Sequence, residues 1–143
     1  MFDRISPHEV KELLESGEGY VYLDVRAEDE FAAGHVPGAR NVPIMVRDSM
    51  GMSPNPEFLA VVEANFPKDS KIITGCLRGG RSTKAARILL SAGYVHVKDM
   101  RGGLDGEMGP GGVLSYEGWA RLDLPVALEP DAGATYEELR SRR

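Results

Sequence analysis

Three short runs of β-branched, aromatic and aliphatic residues, at 20–25, 71–74 and 94–97, constrain most strongly what this chain can fold into. Each is too short for a core helix and reads as a strand buried on both faces. Helical patterns separate them. Ser6-Pro7-His8-Glu9 combines a capping serine, a proline at the first helical position and a glutamate that completes a capping box. Val10, Leu13 and Leu14 follow on one face, and Gly17 and Gly19 close the helix. Residues 56–66 carry Phe58, Leu59, Val62 and Phe66 on one stripe; residues 81–92 carry Ala85, Ile88, Leu89 and Ala92, with Gly93 behind them. Strands that alternate with helices predict an α/β domain with a mainly parallel central sheet and helices on both faces, three layers in all.

The rest of the chain is less periodic. Residues 28–33 read as a short helix and Val36-Pro37-Gly38-Ala39 as a turn. Residues 41–44 read as a short strand or edge segment, 45–55 as a loop and 102–118 as irregular and glycine-rich. The 143 residues suit one domain over 1–128. A charged tail follows over 129–143, with room for a short helix capped at Thr135.

Composition removes several classes of function. The net charge is −5, and the Lys/Arg block is confined to Arg140-Ser141-Arg142-Arg143, so nucleic acid is not the expected partner. No apolar run reaches the roughly 18 residues of a membrane span, and the N-terminal segment lacks the apolar core of a secretory signal. A single cysteine, Cys76, excludes an intramolecular disulfide, a CxxC couple and a cysteine-based zinc site. No metal or cofactor is expected, and a lone thiol suits a reducing compartment, the cytoplasm. A lone cysteine is ordinarily a small buried hydrophobe; its neighbours decide whether this one is more.

Those neighbours are Gly75-Cys76-Leu77-Arg78-Gly79-Gly80-Arg81-Ser82, between a strand end and a helix start. A helix N-terminus leaves N–H groups unpaired and presents a positive dipole end. Gly79 and Gly80 let the backbone curl so that N–H groups point inward. Arg78 and Arg81 add positive charge. Together these favour a thiolate at Cys76 and a cradle for a bound anion. Functional loops of such sheets lie beyond the carboxyl ends of the strands, which also picks out Asp24 and Arg26.

The segment resembles the active-site loop of the single-domain rhodanese family, Cys-x-x-Gly-x-Arg-Ser, at Cys76, Gly79, Arg81 and Ser82. Asp24-Val25-Arg26, Glu30-Phe31, Gly34-His35-Val36-Pro37-Gly38-Ala39 and Asn41-Val42-Pro43 resemble the family's first signature. Gly102-Gly103, Trp119 and Leu124-Pro125-Val126 resemble its closing one. The resemblance implies a rhodanese-like fold and a sulfurtransferase. Its Cys76 would take sulfane sulfur from a donor such as thiosulfate, hold it as a persulfide cradled by N–H groups of Leu77 to Arg81, and pass it to cyanide or a thiol. Arg78 and Arg81 would recognise the donor. Asp24 and Arg26 would either support the active site or simply bridge one another. His35 reads as a turn residue and Trp119 as packing.

Three departures stand out, one of them Leu77, apolar where other members carry polar residues, which leaves donor recognition to Arg78 and Arg81. Fifteen residues, 104–118, separate Gly102-Gly103 from Trp119, where the family has a few. Gly75 replaces an aromatic residue often found before the cysteine, which predicts a wider approach to Cys76. Other classes compete. A Cys-dependent phosphatase or arsenate reductase needs Cys-x5-Arg, one residue longer than Cys76 to Arg81. A regulatory module often lacks the cysteine. A persulfide carrier serving a partner protein uses the same chemistry and stays open.

Overall fold

The computed structural model describes residues 2–143. Five strands form one parallel sheet: β1 (Asp3–Ile5), β2 (Val21–Asp24), β3 (Arg40–Asn41), β6 (Lys71–Gly75) and β7 (His96–Met100), in the order β1-β7-β6-β2-β3. Parallel neighbours need crossovers, and helices supply them. These are α1 (Pro7–Glu15), α2 (Glu28–Ala33), α3 (Phe58–Asn65) and α4 (Gly80–Ser91), with α5 (Tyr136–Arg140) at the C-terminal end. No helix among the described residues is long and apolar enough to cross a membrane.

Alternation along the central strands divides the core in two. On one face Leu23, Val25, Ile72 and Val97 pack with Val61 and Val62 of α3, Ala85, Ala86 and Leu89 of α4, and Tyr136 and Leu139 of α5. On the other, Tyr22, Ile73 and Met100 pack with Val10 of α1, Phe31 of α2 and Trp119. The α1 start forms as its sequence dictates. Ser6 Oγ accepts from the Glu9 N–H at 3.1 Å and Glu9 Oε1 accepts from the Ser6 N–H at 3.0 Å, a box whose capping serine contributes about 1 kcal/mol.

Four expectations are corrected. The loop expected at 45–55 contains an antiparallel hairpin, β4 (Met45–Asp48) with β5 (Gly51–Pro54). The third strand lies later than 94–97: Tyr94 ends the α4 corner, its N–H bonded to Leu89 O, and β7 runs on to Met100 through the polar Lys98 and Asp99. The segment 102–118 is ordered, with a short hairpin of β8 (Glu107–Met108) and β9 (Leu114–Tyr116). Residues 129–143 are not a tail outside the core. Ala134, Tyr136 and Leu139 are buried in it, and Thr135 caps α5 by accepting from the Glu138 N–H at 3.3 Å.

Candidate active site

β6 ends at Gly75 and α4 starts at Gly80, so Cys76 stands at the strand end in the link to a helix N-terminus. Gly79 makes the turn. At φ 107° it holds a left-handed conformation, and a Cβ there would lie 2.8 Å from the Arg4 guanidinium. The turn aims donors at sulfur. The Gly79 N–H donates to Cys76 Sγ at 3.0 Å and the Ser82 N–H at 3.4 Å; the thiol in turn donates to Ser82 Oγ at 3.4 Å. The cradle expected from Leu77 to Arg81 is thus narrower at the bare sulfur. Cys76 is only 2% exposed and reaches two N–H groups, those of Gly79 and Ser82.

Arg81, Arg26 and Arg78, all near this loop, are engaged. Arg81 makes a two-pronged bridge to Glu30, at 2.7 and 3.0 Å. The Glu30 hydrogen bonds hold the Arg81 guanidinium above its ordinary range; burial opposes ionisation of Glu30, but Arg81 outweighs it and holds the carboxyl below its ordinary range. Arg26 and Asp24 are both buried and bridge one another, Nη2 to Oδ2 at 2.8 Å and Nε to Oδ1 at 3.0 Å, with Nη2 also donating to Gly34 O at 2.7 Å. Burial works against the Arg26 charge, yet the Asp24 bonds outweigh it and raise the group. The bridge expected as one of the two roles of this pair is formed. Arg78 donates to Asp105 Oδ2 at 2.8 Å and to Gly106 O at 3.1 Å.

The glycine-rich segment lies against the site loop, backbone to backbone. Leu104 N–H donates to Cys76 O and Asp105 N–H to Leu77 O, both at 2.9 Å. Only a glycine fits at 103, because a Cβ would lie 2.5 Å from the Leu77 carbonyl. His35 is more than a turn residue: it is buried, stacked on Phe31 with centroids 4.0 Å apart, and paired through its backbone with Ala127. Trp119 packs as expected, its Nε1–H bonded to Pro125 O at 2.7 Å.

The approach to Cys76 is not widened by Gly75. A Cβ at Gly75 would sit 1.7 Å from the Tyr22 hydroxyl. The neighbouring strand therefore supplies the aromatic ring that this position lacks.

Two residues of the site escaped sequence reasoning. Thr74 and Asp99 are register partners on β6 and β7; Thr74 Oγ1 lies 3.1 Å from Ser82 O at the start of α4 and 3.0 Å from Asp99 Oδ1. An aspartate in the last buried strand was the available signal; the strand boundary placed at 97 hid it.

Comparisons with known proteins agree with this geometry. The sequence matches the Rhodanese-like domain family over residues 6–106. It is 47% identical over 108 residues to thiosulfate sulfurtransferase 16, chloroplastic, of Arabidopsis thaliana, covering 76% of this chain and 80% of that one. It is 33% identical over 100 residues to human thiosulfate:glutathione sulfurtransferase, covering 68% and 86%. Among solved structures, Rv0390 from M. tuberculosis superimposes with a TM-score of 0.74 at 26% identity, covering 90% of this chain and all of that one. With the parallel sheet, the strand–loop–helix cysteine and these likenesses together, the chain belongs to the rhodanese-like domain family.

Proposed function

We propose that this protein is a sulfurtransferase that carries sulfane sulfur as a persulfide on Cys76. The observation that carries the reading is the setting of Cys76 Sγ, which accepts N–H bonds from Gly79 and Ser82 at the start of a 12-residue helix. Such donors stabilise a sulfur anion, whether thiolate or persulfide. In the first half-reaction the thiolate attacks the outer sulfur of thiosulfate; the donor's S–S bond breaks and sulfite leaves with the electron pair. In the second, cyanide or a thiol attacks the terminal sulfur and the Cys76 thiolate returns. The names of the Arabidopsis and human relatives support thiosulfate as donor and a thiol such as glutathione as one acceptor. The Arg81–Glu30 bridge speaks against the phosphatase alternative, since the arginine of Cys-x4-Arg is already paired with a carboxylate. Intact mass after thiosulfate tests the proposal: an adduct of about 32 Da, one sulfur, should appear and be removed by cyanide or thiol. No adduct under any condition would overturn it.

Arg78 is the loop arginine most open to solvent, with its side chain 41% exposed against 24% for Arg81. Its bridge to Asp105 is an exposed one and contributes little, so the guanidinium can turn to the sulfonate end of the donor. Arg78→Ala should therefore raise the thiosulfate KM by roughly 3- to 10-fold with kcat nearly unchanged, the signature of lost ground-state binding. Equal losses in kcat and kcat/KM would assign Arg78 to the transition state instead.

A further inference from the structure

Asp105 offers one carboxylate to two guanidiniums. Its Oδ2 accepts from Arg78 Nη2 at 2.8 Å, and its Oδ1 lies 3.3 Å from Arg121 Nε. Carbonyls of the same segment hold both arginines as well: Arg78 Nη1 donates to Gly106 O at 3.1 Å and Arg121 Nε to Asp105 O at 2.6 Å. The three side chains come from different places in the chain. Arg78 belongs to the cysteine loop, Asp105 to the glycine-rich segment and Arg121 to a helical turn over Trp119–Leu122. Their backbones are tied together, with Asp105 N–H donating to Leu77 O and Ala120 N–H to Leu104 O, both at 2.9 Å. The cluster is thus fixed at its base and open at its tips, where the Asp105 side chain is 37% exposed and the two arginines slightly more.

We infer that Asp105 is a built-in competitor of the sulfur donor: its carboxylate fills the place between Arg78 and Arg121 that the sulfonate of thiosulfate takes on binding. The inference rests on the persulfide reading and deepens it. It adds Arg121 to the donor site and gives Asp105 control over the affinity of that site. Guanidiniums recognise carboxylate and other oxyanions through the same forked N–H donors, so one anion can replace the other. The exchange is one of partners, with no covalent bond made or broken. The sulfonate oxygens take the N–H groups that Asp105 gives up, and the carboxylate turns to water. Only side chains need move, because the backbone bonds to Leu77 and Leu104 hold the segment in place.

Two contrasts support this role. The Arg81–Glu30 bridge is the less exposed one and matches one cation to one anion; in the outer cluster two cations share one anion, which leaves a positive charge in excess beside the cysteine loop. The Asp105 carboxylate is also dispensable for the fold. Exposed ion pairs add little stability, and the segment is held by its own backbone, with Gly106 N–H bonded to Gly102 O at 2.7 Å besides the bonds to the loop. What the carboxylate does is electrostatic. It occupies Arg78 and places a negative charge where a dianionic donor must arrive. Asp105 is thus a specificity-determining residue that acts through Arg78, not one that takes part in the chemistry at sulfur.

The test is single-turnover formation of the sulfur adduct without acceptor, followed by mass across thiosulfate concentration. Asp105→Asn keeps the size of the side chain and removes its charge. The half-saturating thiosulfate concentration should fall by roughly 3- to 10-fold with little change in the limiting rate. Damage to the loop would instead raise the first and lower the second. Asp105→Glu, which restores the charge, should bring half-saturation back to within about twofold of native. In the Arg78→Ala background Asp105→Asn should gain less than about twofold, since the cation it releases is gone. Arg121→Gln added to Asp105→Asn should raise half-saturation again by roughly 2- to 5-fold. An unchanged or raised value in Asp105→Asn, no return in Asp105→Glu, or an equal gain without Arg78 overturns the inference. So does a gain confined to transfer from the loaded protein to glutathione, which would give the two arginines to the acceptor's carboxylates. A native protein with no adduct at any thiosulfate concentration overturns the persulfide reading itself, while a native adduct with an unmoved Asp105→Asn value overturns the competitor alone.

Discussion

Cys76→Ser should give a folded protein with no measurable sulfur transfer. The substitution exchanges one atom in a side chain that is 2% exposed, and a hydroxyl can still accept the Gly79 and Ser82 N–H bonds. Stability should therefore stay within about 1 kcal/mol of native. Chemistry should not survive, because an oxygen cannot carry sulfane sulfur and an alcohol is not ionised by two N–H donors. Turnover of thiosulfate and cyanide to thiocyanate should fall by at least about three orders of magnitude, with the mass adduct gone. Thiocyanate production at a native rate in a variant of confirmed sequence would remove Cys76 from the mechanism.

The second large effect concerns stability. Asp24→Ala would leave the Arg26 guanidinium charged and buried with only Gly34 O as a side-chain partner. Breaking one side of a buried pair costs about 3–5 kcal/mol, a large part of the roughly 5–15 kcal/mol that holds a domain together. The melting temperature should fall by about 10–15 °C. Replacing both partners, Asp24→Leu with Arg26→Met, should recover most of the loss, because it is the stranded charge that costs and not the missing bridge. Urea unfolding of the single and double variants checks this. A double variant no better than Asp24→Ala would show that the pair itself, rather than its neutrality, maintains the ends of β2 and β3.

The sheet and its helices were legible because their signals are local. Ile72 and Ile73 bury opposite faces of β6, and the Ser6–Glu9 box needs only four residues to declare itself. The cysteine loop was legible for the same reason, with sulfur, glycines and helix start contiguous. What stayed hidden depends on partners distant in sequence. β7 looks broken at Lys98 and Asp99 until Arg4, 95 residues away, is seen to pair with Asp99. Arg81 reads as a free charge until Glu30, 51 residues away, meets it. The segment 102–118 reads as irregular because its order comes from backbone bonds to Cys76 and Leu77, which leave no mark on side-chain pattern.

The ring of Tyr22 over Gly75 makes these two positions one volume shared by two strands. Since β2 and β6 pair in register, Tyr22 beside Ile73 and Asp24 beside Gly75, either strand can fill the space but not both. An aromatic residue placed before the cysteine belongs with a small residue at 22, and a tyrosine at 22 belongs with glycine at 75. A designer grafting this cysteine loop onto another rhodanese sheet must carry the partner strand's residue with it, because the wall beside the cysteine loop is not encoded in the loop.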